Sequence, residues 1–215
     1  MRSRHHAGLP QGGAVAQPDQ SRRRAGNGAR STRLRRRPPG GLPALRYPQG
    51  QAVTSPAPLR NIIAYSDGGA IGNPGPGGYG VVLRYGEKVK ELSAGFRLTT
   101  NNRMELLGAI VALEALKEPC SVRLHTDSQY VVNGIEKGWA KKWRSNGWMR
   151  NPKERALNAD LWERLLTAAA RHKATFVWVK GHAGVADNER CDELVRAASG
   201  GTGHGVDEVY ERENR

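Results

Sequence analysis

The chain has 215 residues, with 34 lysines and arginines against 20 acids, for a formal charge of +14. That length allows one or two domains, and the charge makes an anionic partner the first expectation. The two cysteines, Cys120 and Cys191, form no CxxC pair or disulfide framework, and no apolar run approaches the roughly 18 to 20 residues that span a bilayer. A disulfide-stapled secreted scaffold and a membrane-spanning protein are therefore set aside, and a soluble, cytoplasmic protein is expected.

The charge is unevenly spread. Residues 1–60 hold twelve arginines, no lysine and one acid, Asp19, for a balance of +11, which leaves +3 for the remainder. Stretches such as SRRRAGNGAR and RLRRRPPGGLP have scattered apolar residues and no strand or helix period. Residues 1–58 are expected to form a disordered Arg-rich extension, because they cannot bury enough apolar surface to offset their ordering entropy. A nucleic-acid tether, an organelle transit peptide and an upstream extension from a misplaced start codon all fit this composition.

From Asn61 the elements alternate. NIIAYSD reads as a strand ending at Asp67, where SDGGAIGNPGPGGYG turns the chain, since Asp-Gly is a common turn signal. YGVVLRY and VKELSAGFRL follow across a hairpin connection at GEK, which makes an antiparallel meander. NNRMELLGAIVALEALKE has helical spacing, a cap candidate in Asn101 or Asn102, and a stop before Pro119. SVRLHTD is a strand ending in an acid, SQYVVNGIEKG a helix, LNADLWERLLTAAARH an amphipathic helix and ATFVWVK a strand. DNERCDELVRAAS is a final helix, with Asp187 as its expected cap. Strands joined through helices favour parallel pairing, so the class is α/β, with a mixed sheet flanked by helices. Residues 201–215 lack a period and are expected to form a flexible tail.

Two strands thus end in aspartate, Asp67 and Asp127, and functional groups gather at the carboxyl ends of strands in open α/β sheets. At about 100° per residue, Glu105 shares its helix face with Ala109, Ala112 and Leu116, whereas Arg103, Glu114, Lys117 and Glu118 point away. A glutamate on that small-residue face is costly unless neutralised; a first-turn glutamate interacting with the helix dipole is the alternative. Asp192, one turn after Asn188 and beside Cys191, Leu194 and Val195, borders the buried face of the last helix. Four converging carboxylates would raise one another's pKa unless cations intervened. All-oxygen donors suit a hard cation such as Mg²⁺, and the corresponding chemistry is two-metal phosphoryl transfer.

SDGGAIGNPGPGGYG, TTNNRMEL, TDSQYV, WVKGHAG and NERCDEL, in this order and spacing, resemble the bacterial type 1 ribonucleases H over roughly residues 60–199. The resemblance implies a ribonuclease H-like fold with a five-stranded mixed sheet, and a catalytic domain over residues 59–200. It also implies an endoribonuclease that cuts the RNA strand of RNA/DNA hybrids, leaving 5′-phosphate and 3′-hydroxyl ends. Its cofactor would be Mg²⁺, with Mn²⁺ as an alternative and two ions when substrate is bound. Carried over by motif, Asp67, Glu105, Asp127 and Asp192 are the metal-binding catalytic acids, and His182 is a mobile catalytic histidine assisting proton transfer or product departure. Asn73, Asn101, Asn102 and Gln129 would serve RNA selectivity, since the 2′-hydroxyl both donates and accepts hydrogen bonds.

The segment KGWAKKWRSNGWMRNPKER sets Trp139, Trp143 and Trp148 among Lys141, Lys142 and Arg144. Aromatics four apart on a helix commonly mark core packing, but the cations and the resemblance favour a duplex-gripping basic handle. Thr100 and Asn158 match a pocket for a DNA phosphate, while Leu98 stands where relatives often carry an arginine of that pocket. Arg97, one residue earlier, should point to the opposite strand face. A monomer acting on a hybrid duplex is expected. A non-catalytic hybrid-binding protein would not need all four acids, and a DNA transposase or integrase nuclease would not need the asparagine, glutamine and histidine set. Deleting residues 1–58 is expected to leave hybrid hydrolysis at low salt largely intact; a collapse in turnover with folding preserved would give that segment a direct role.

Overall fold

The computed structural model describes residues 58–214. The Arg-rich extension expected over residues 1–58 lies, all but its last residue, outside them. In chain order the elements are β1 (Arg60–Ala70), β2 (Gly75–Tyr85), β3 (Lys88–Thr99), α1 (Asn101–Glu114), β4 (Cys120–Thr126), α2 (Gln129–Glu136) and α3 (Trp139–Ser145). They continue with a small hairpin of β5 (Met149–Asn151) and β6 (Glu154–Arg155), then α4 (Ala159–Ala170), β7 (Lys173–Trp178), α5 (Ala186–Gly200) and α6 (Glu208–Glu213). The main sheet has five strands in the order β3-β2-β1-β4-β7. Its first three strands form the expected antiparallel meander, while β4 and β7 join in parallel through helical crossovers.

Glycine sets how closely the helices approach this sheet. A Cβ on Gly68 would lie 2.2 Å from the Glu105 backbone nitrogen in α1, and one on Gly80 would lie 2.3 Å from the Cys191 carbonyl in α5. Gly69, on the opposite side of β1 from Gly68, has its nearest neighbour in Val195 of α5. The two helices therefore cover opposite faces of the β1–β2 pair. Met104, Ile110, Leu124, Trp162 and Leu165 are fully buried in the core that α1, α4 and the sheet enclose.

Several local expectations are corrected. Asp67 does not end its strand: it pairs with Gly80 within the β1–β2 ladder, and the reversal falls at residues 71–74. Gly68 and Gly69 remain in β1, and Gly75, Gly77, Gly78 and Gly80 belong to β2, where Gly78 and Gly80 leave room for α5. Helix α1 stops at Glu114, well before Pro119, and its N-cap is Thr100 with no side-chain cap bond. Asn101 turns instead to the β1–β2 reversal, where its Oδ1 accepts from Ala70 N–H at 2.7 Å. Helix α5 likewise begins without a side-chain cap, since Asp187 is held by Arg84 through two hydrogen bonds of 2.5 and 2.6 Å.

The largest correction concerns residues 201–215, expected to be flexible. Gly205 pairs with Phe96 beside β3, α6 follows, and Asp207 and Glu211 are buried. Arg103, expected to point away from the core, is 3% exposed and bonds to Asp160 and Asp207. A periodless sequence hid this docking because it depends on charge pairing with residues about one hundred positions away, not on an apolar stripe.

Gly68→Ala is expected to destabilise the fold by about 1–3 kcal/mol through overpacking against the α1 backbone. Gly200→Ala, at a position with no neighbour within 4 Å, is expected to be near neutral. Equal melting temperatures for the two variants would contradict the close-approach account.

Candidate active site

Tyr65 and His125 are the last partners in the parallel β1–β4 register, so Asp67 and Asp127, each two residues further on, stand level at the carboxyl end of the sheet. Asp67 is partly buried, and its carboxyl is pushed up to about 7, first by burial and then by Asp127, with Asp192 and Glu105 adding to the effect. A hydrogen bond from Gly68 N–H at 2.7 Å opposes that rise. Glu105 enters from the first turns of α1, which can lie against β1 because Gly68 presents no side chain. Its pKa is also raised, chiefly by burial; the hydrogen bond from Ser128 opposes this and Asp127 reinforces it. The structure thus brings the acids of β1, α1, β4 and α5 into one electrostatic field.

Neutral side chains hold two of these carboxylates. Ser128 donates to Glu105 Oε2 at 2.5 Å while accepting from Val131 N–H at the start of α2. Asn188 is 2% exposed and directs Nδ2 to Asp127 Oδ2 at 3.4 Å, leaving its buried Oδ1 without a hydrogen-bond partner. Gly181 brings the following loop against Asp127: a Cβ there would sit 2.7 Å from Asp127 Oδ2. Reading the sequence for chemistry missed these roles for Ser128, Asn188 and Gly181. A serine at a helix start and an asparagine four residues before Asp192 were the available signals.

Asp192 is turned outward in part, its Oδ2 2.6 Å from Arg196 Nη1 and 3.8 Å from His182 Nδ1. His182 itself is exposed, with a positive φ of 52° in the loop before α5. Among the described residues, no three His, Cys, Asp or Glu side chains are grouped closely enough to hold a metal ion as they stand. The donor set nevertheless fits a hard cation: the oxygens come from four carboxylates, and their crowding is expressed in the raised Asp67 carboxyl.

Around the centre, Asn73 Oδ1 accepts from Asn101 N–H at 3.2 Å, linking the β1–β2 reversal to the start of α1. Asn102 and Gln129 are exposed at the first residues of α1 and α2. Thr100 caps α1; Asn158 caps α4 with a positive φ of 58° and donates to the Tyr130 hydroxyl at 3.3 Å.

The three tryptophans separate by role. Trp143 packs edge-on to Trp162 at 5.9 Å, and Trp148 is also packed against the core, whereas Trp139 is exposed, with Lys137 Nζ 5.5 Å from its ring centroid. Lys141 and Lys142 are exposed on α3, and Arg144 pairs with Glu163 at 2.8 Å. Tyr130, Trp139, Lys142, Trp143 and Arg150 line an open cleft of about 430 Å³, an aromatic and cationic surface suited to a sugar-phosphate backbone.

Residues 60–200 match the family model described as RNase H. A ribonuclease H of Desulforamulus reducens is 69% identical over 141 residues, covering 66% of this chain and 89% of that protein. Among solved structures, LC9-RNase H1, a type 1 RNase H with the type 2 active-site motif, matches with a TM-score of 0.62 at 33% identity, over 74% of this chain and 82% of the other. LC11-RNase H1 in complex with an RNA/DNA hybrid matches with a TM-score of 0.51 at 28% identity, over 65% of this chain and 96% of the other.

The raised Asp67 carboxyl has a consequence for stability. Between its ordinary value of 3.8 and about 7, the folded state holds a proton that the unfolded state has lost, so stability falls as pH rises through that window. Asp67→Asn is expected to raise the melting temperature of the metal-free protein by a few degrees at about pH 8 and to give no such gain at about pH 4. Thermal denaturation in a chelating buffer at both pH values checks this, and a gain independent of pH would contradict it.

Proposed function

The chain belongs to the bacterial type 1 ribonuclease H family and is an endoribonuclease of RNA/DNA hybrids; we propose that Asp67, Glu105, Asp127 and Asp192 form its catalytic centre, with divalent metal ions as cofactor. The observation that carries this reading is the placement of Asp67 and Asp127 level at the carboxyl end of the sheet, with α1 bringing Glu105 against β1 at Gly68; the raised Asp67 carboxyl agrees with it. A cluster that penalises its own ionisation is well suited to bind cations. Mg²⁺ is the natural choice, Mn²⁺ a substitute, and two ions fit four carboxylates with substrate bound. Asp67, Glu105, Asp127 and Asp192 would hold such ions, which would supply Lewis-acid neutralisation of the charge that develops on the phosphate oxygens.

The chain's own residues do the rest. Asp67 and Asp127, level on adjacent strands, define where the scissile phosphate sits, and the cut leaves a 5′-phosphate and a 3′-hydroxyl. His182, exposed and 3.8 Å from Asp192 Oδ2, assists proton transfer or product departure. Asn73, Asn101, Asn102 and Gln129 meet the 2′-hydroxyls of the RNA strand. Thr100 and Asn158 take the DNA strand, and Trp139, Lys141, Lys142, Trp143, Arg144 and Trp148 form the handle that grips the duplex through its backbone. The catalytic unit spans residues 59–200 and acts as a cytoplasmic monomer. Its two cysteines are free and buried, as suits a reducing compartment.

Asp127→Asn is expected to lower cleavage of a labelled RNA/DNA hybrid with Mg²⁺ by orders of magnitude while leaving the fold intact. Undiminished cleavage by the folded variant would defeat the assignment of the centre. DNA/DNA duplex assayed in parallel is expected to remain uncut.

A further inference from the structure

The C-terminal segment joins the two parts of the chain that carry the DNA-strand contacts assigned above. Gly205 extends the edge of β3, with Arg97 N–H donating to its carbonyl at 3.1 Å and its own N–H donating to Gly95 at 2.9 Å. Asp207 then enters the core at 8% exposure. Its Oδ2 accepts from Thr99 Oγ1 at 2.7 Å and from Arg103 Nε at 2.6 Å, and its Oδ1 accepts from Arg103 Nη2 at 2.7 Å. Arg103 reaches onward to both carboxylate oxygens of Asp160, at 3.0 and 2.8 Å. Outside this pair, Glu211 takes Arg97 through bonds of 2.6 to 3.2 Å.

These links are not spread at random over the sheet. Thr99 immediately precedes Thr100, Arg103 lies in the first turn of α1, and Asp160 lies two residues after Asn158 in the first turn of α4. One buried aspartate near the C-terminus therefore fixes the β3–α1 junction, and through Arg103 it fixes that junction against the start of α4. Arg97 cannot replace the arginine absent at Leu98, because Glu211 commits its guanidinium to α6. The DNA-strand pocket is left with uncharged groups, whose hydrogen bonds depend strongly on placement.

We propose that the segment from His204 to Asn214 is a positioning element for DNA-strand binding, which sets the spacing of Thr100 and Asn158 through the Asp207–Arg103–Asp160 linkage. It touches neither the substrate nor the reacting atoms. Its loss weakens hybrid binding while chemistry at the carboxylates proceeds. The inference rests on the assignment of Thr100 and Asn158 to the DNA strand.

The test uses the full chain, Asp207→Asn, Glu211→Gln and a variant ending at Gly203. Melting temperature, kcat and KM are measured with Mg²⁺, and Kd for an RNA/DNA hybrid is measured by fluorescence anisotropy in a chelating buffer. For Asp207→Asn and the shortened chain, Kd and KM are expected to rise about fivefold with kcat within about twofold, the size expected of lost placement rather than lost catalysis. Glu211→Gln, which leaves the buried pair intact, is expected to move Kd and KM in the same direction by less. Lower melting temperatures with Kd and KM unchanged would make the segment a stabilising brace only and overturn the proposal, as would a fall in kcat with KM unchanged. If Asp207→Asn and the shortened chain fail to fold, an unchanged Kd in Glu211→Gln overturns it. Failure of the full chain itself to bind or cut the hybrid would instead defeat the functional reading on which the proposal stands.

Discussion

The close contact of α1 with β1 is the constraint on which the active centre depends. Where Gly68 faces the backbone of Met104 and Glu105, there is no room for a side chain, and Gly108 brings the helix near the Asp67 carbonyl in the same way. That approach drives a glutamate toward an aspartate already level with another. The resulting desolvation and repulsion are unfavourable for the fold and push the Asp67 carboxyl up. Stability is given up at one corner of the sheet so that charge accumulates where a cation and a phosphate can use it.

The surroundings suit an extended polyanion better than a small molecule. A cleft of about 480 Å³ is lined by Arg103, Asp160 and Asp207 and by none of Asp67, Glu105, Asp127 or Asp192. Asn102, at the start of α1, and Gln129, at the start of α2, are exposed beside the acids, and α3 presents its cations to solvent. The +3 left after residue 60 is a small balance. Its arrangement matters more than its size: Arg84, Arg103, Arg164 and Arg190 are spent on ion pairs within the fold, while Lys141 and Lys142 stay exposed. Folding therefore leaves part of the positive charge free to meet a polyanion.

Much of the architecture was legible because the sequence carries strong local periods. The meander, the crossover strands and the positions of Asp127, Glu105 and Asp192 follow from alternation, helical spacing and strand ends. What escaped were contacts between distant residues. Asp67 looked like a turn residue because the glycines behind it resemble a loop, yet Gly68 lies in the strand against α1, and Gly69, Gly78 and Gly80 lie in strands under α5. Asp187 looked like a cap, but Arg84 holds it from β2. The tail around Asp207 looked unstructured because its order comes from buried ion pairs, and ion pairing has no period. Trp143 belongs to both readings, packed on Trp162 within a basic segment that the handle also uses.

The centre draws on chain segments in the order β1, α1, β4, the His182 loop and α5, and its last acid, Asp192, comes 65 positions after Asp127. Synthesis delivers these segments in the same order. A nascent chain therefore exposes Asp67, Glu105 and Asp127 well before Asp192 and the loop pressed against Asp127 can join them. Three acids without their fourth, and without α5 covering the glycine face of β2, do not form the assembled centre. The four acids therefore come together only once α5, the last long helix, lies over the sheet.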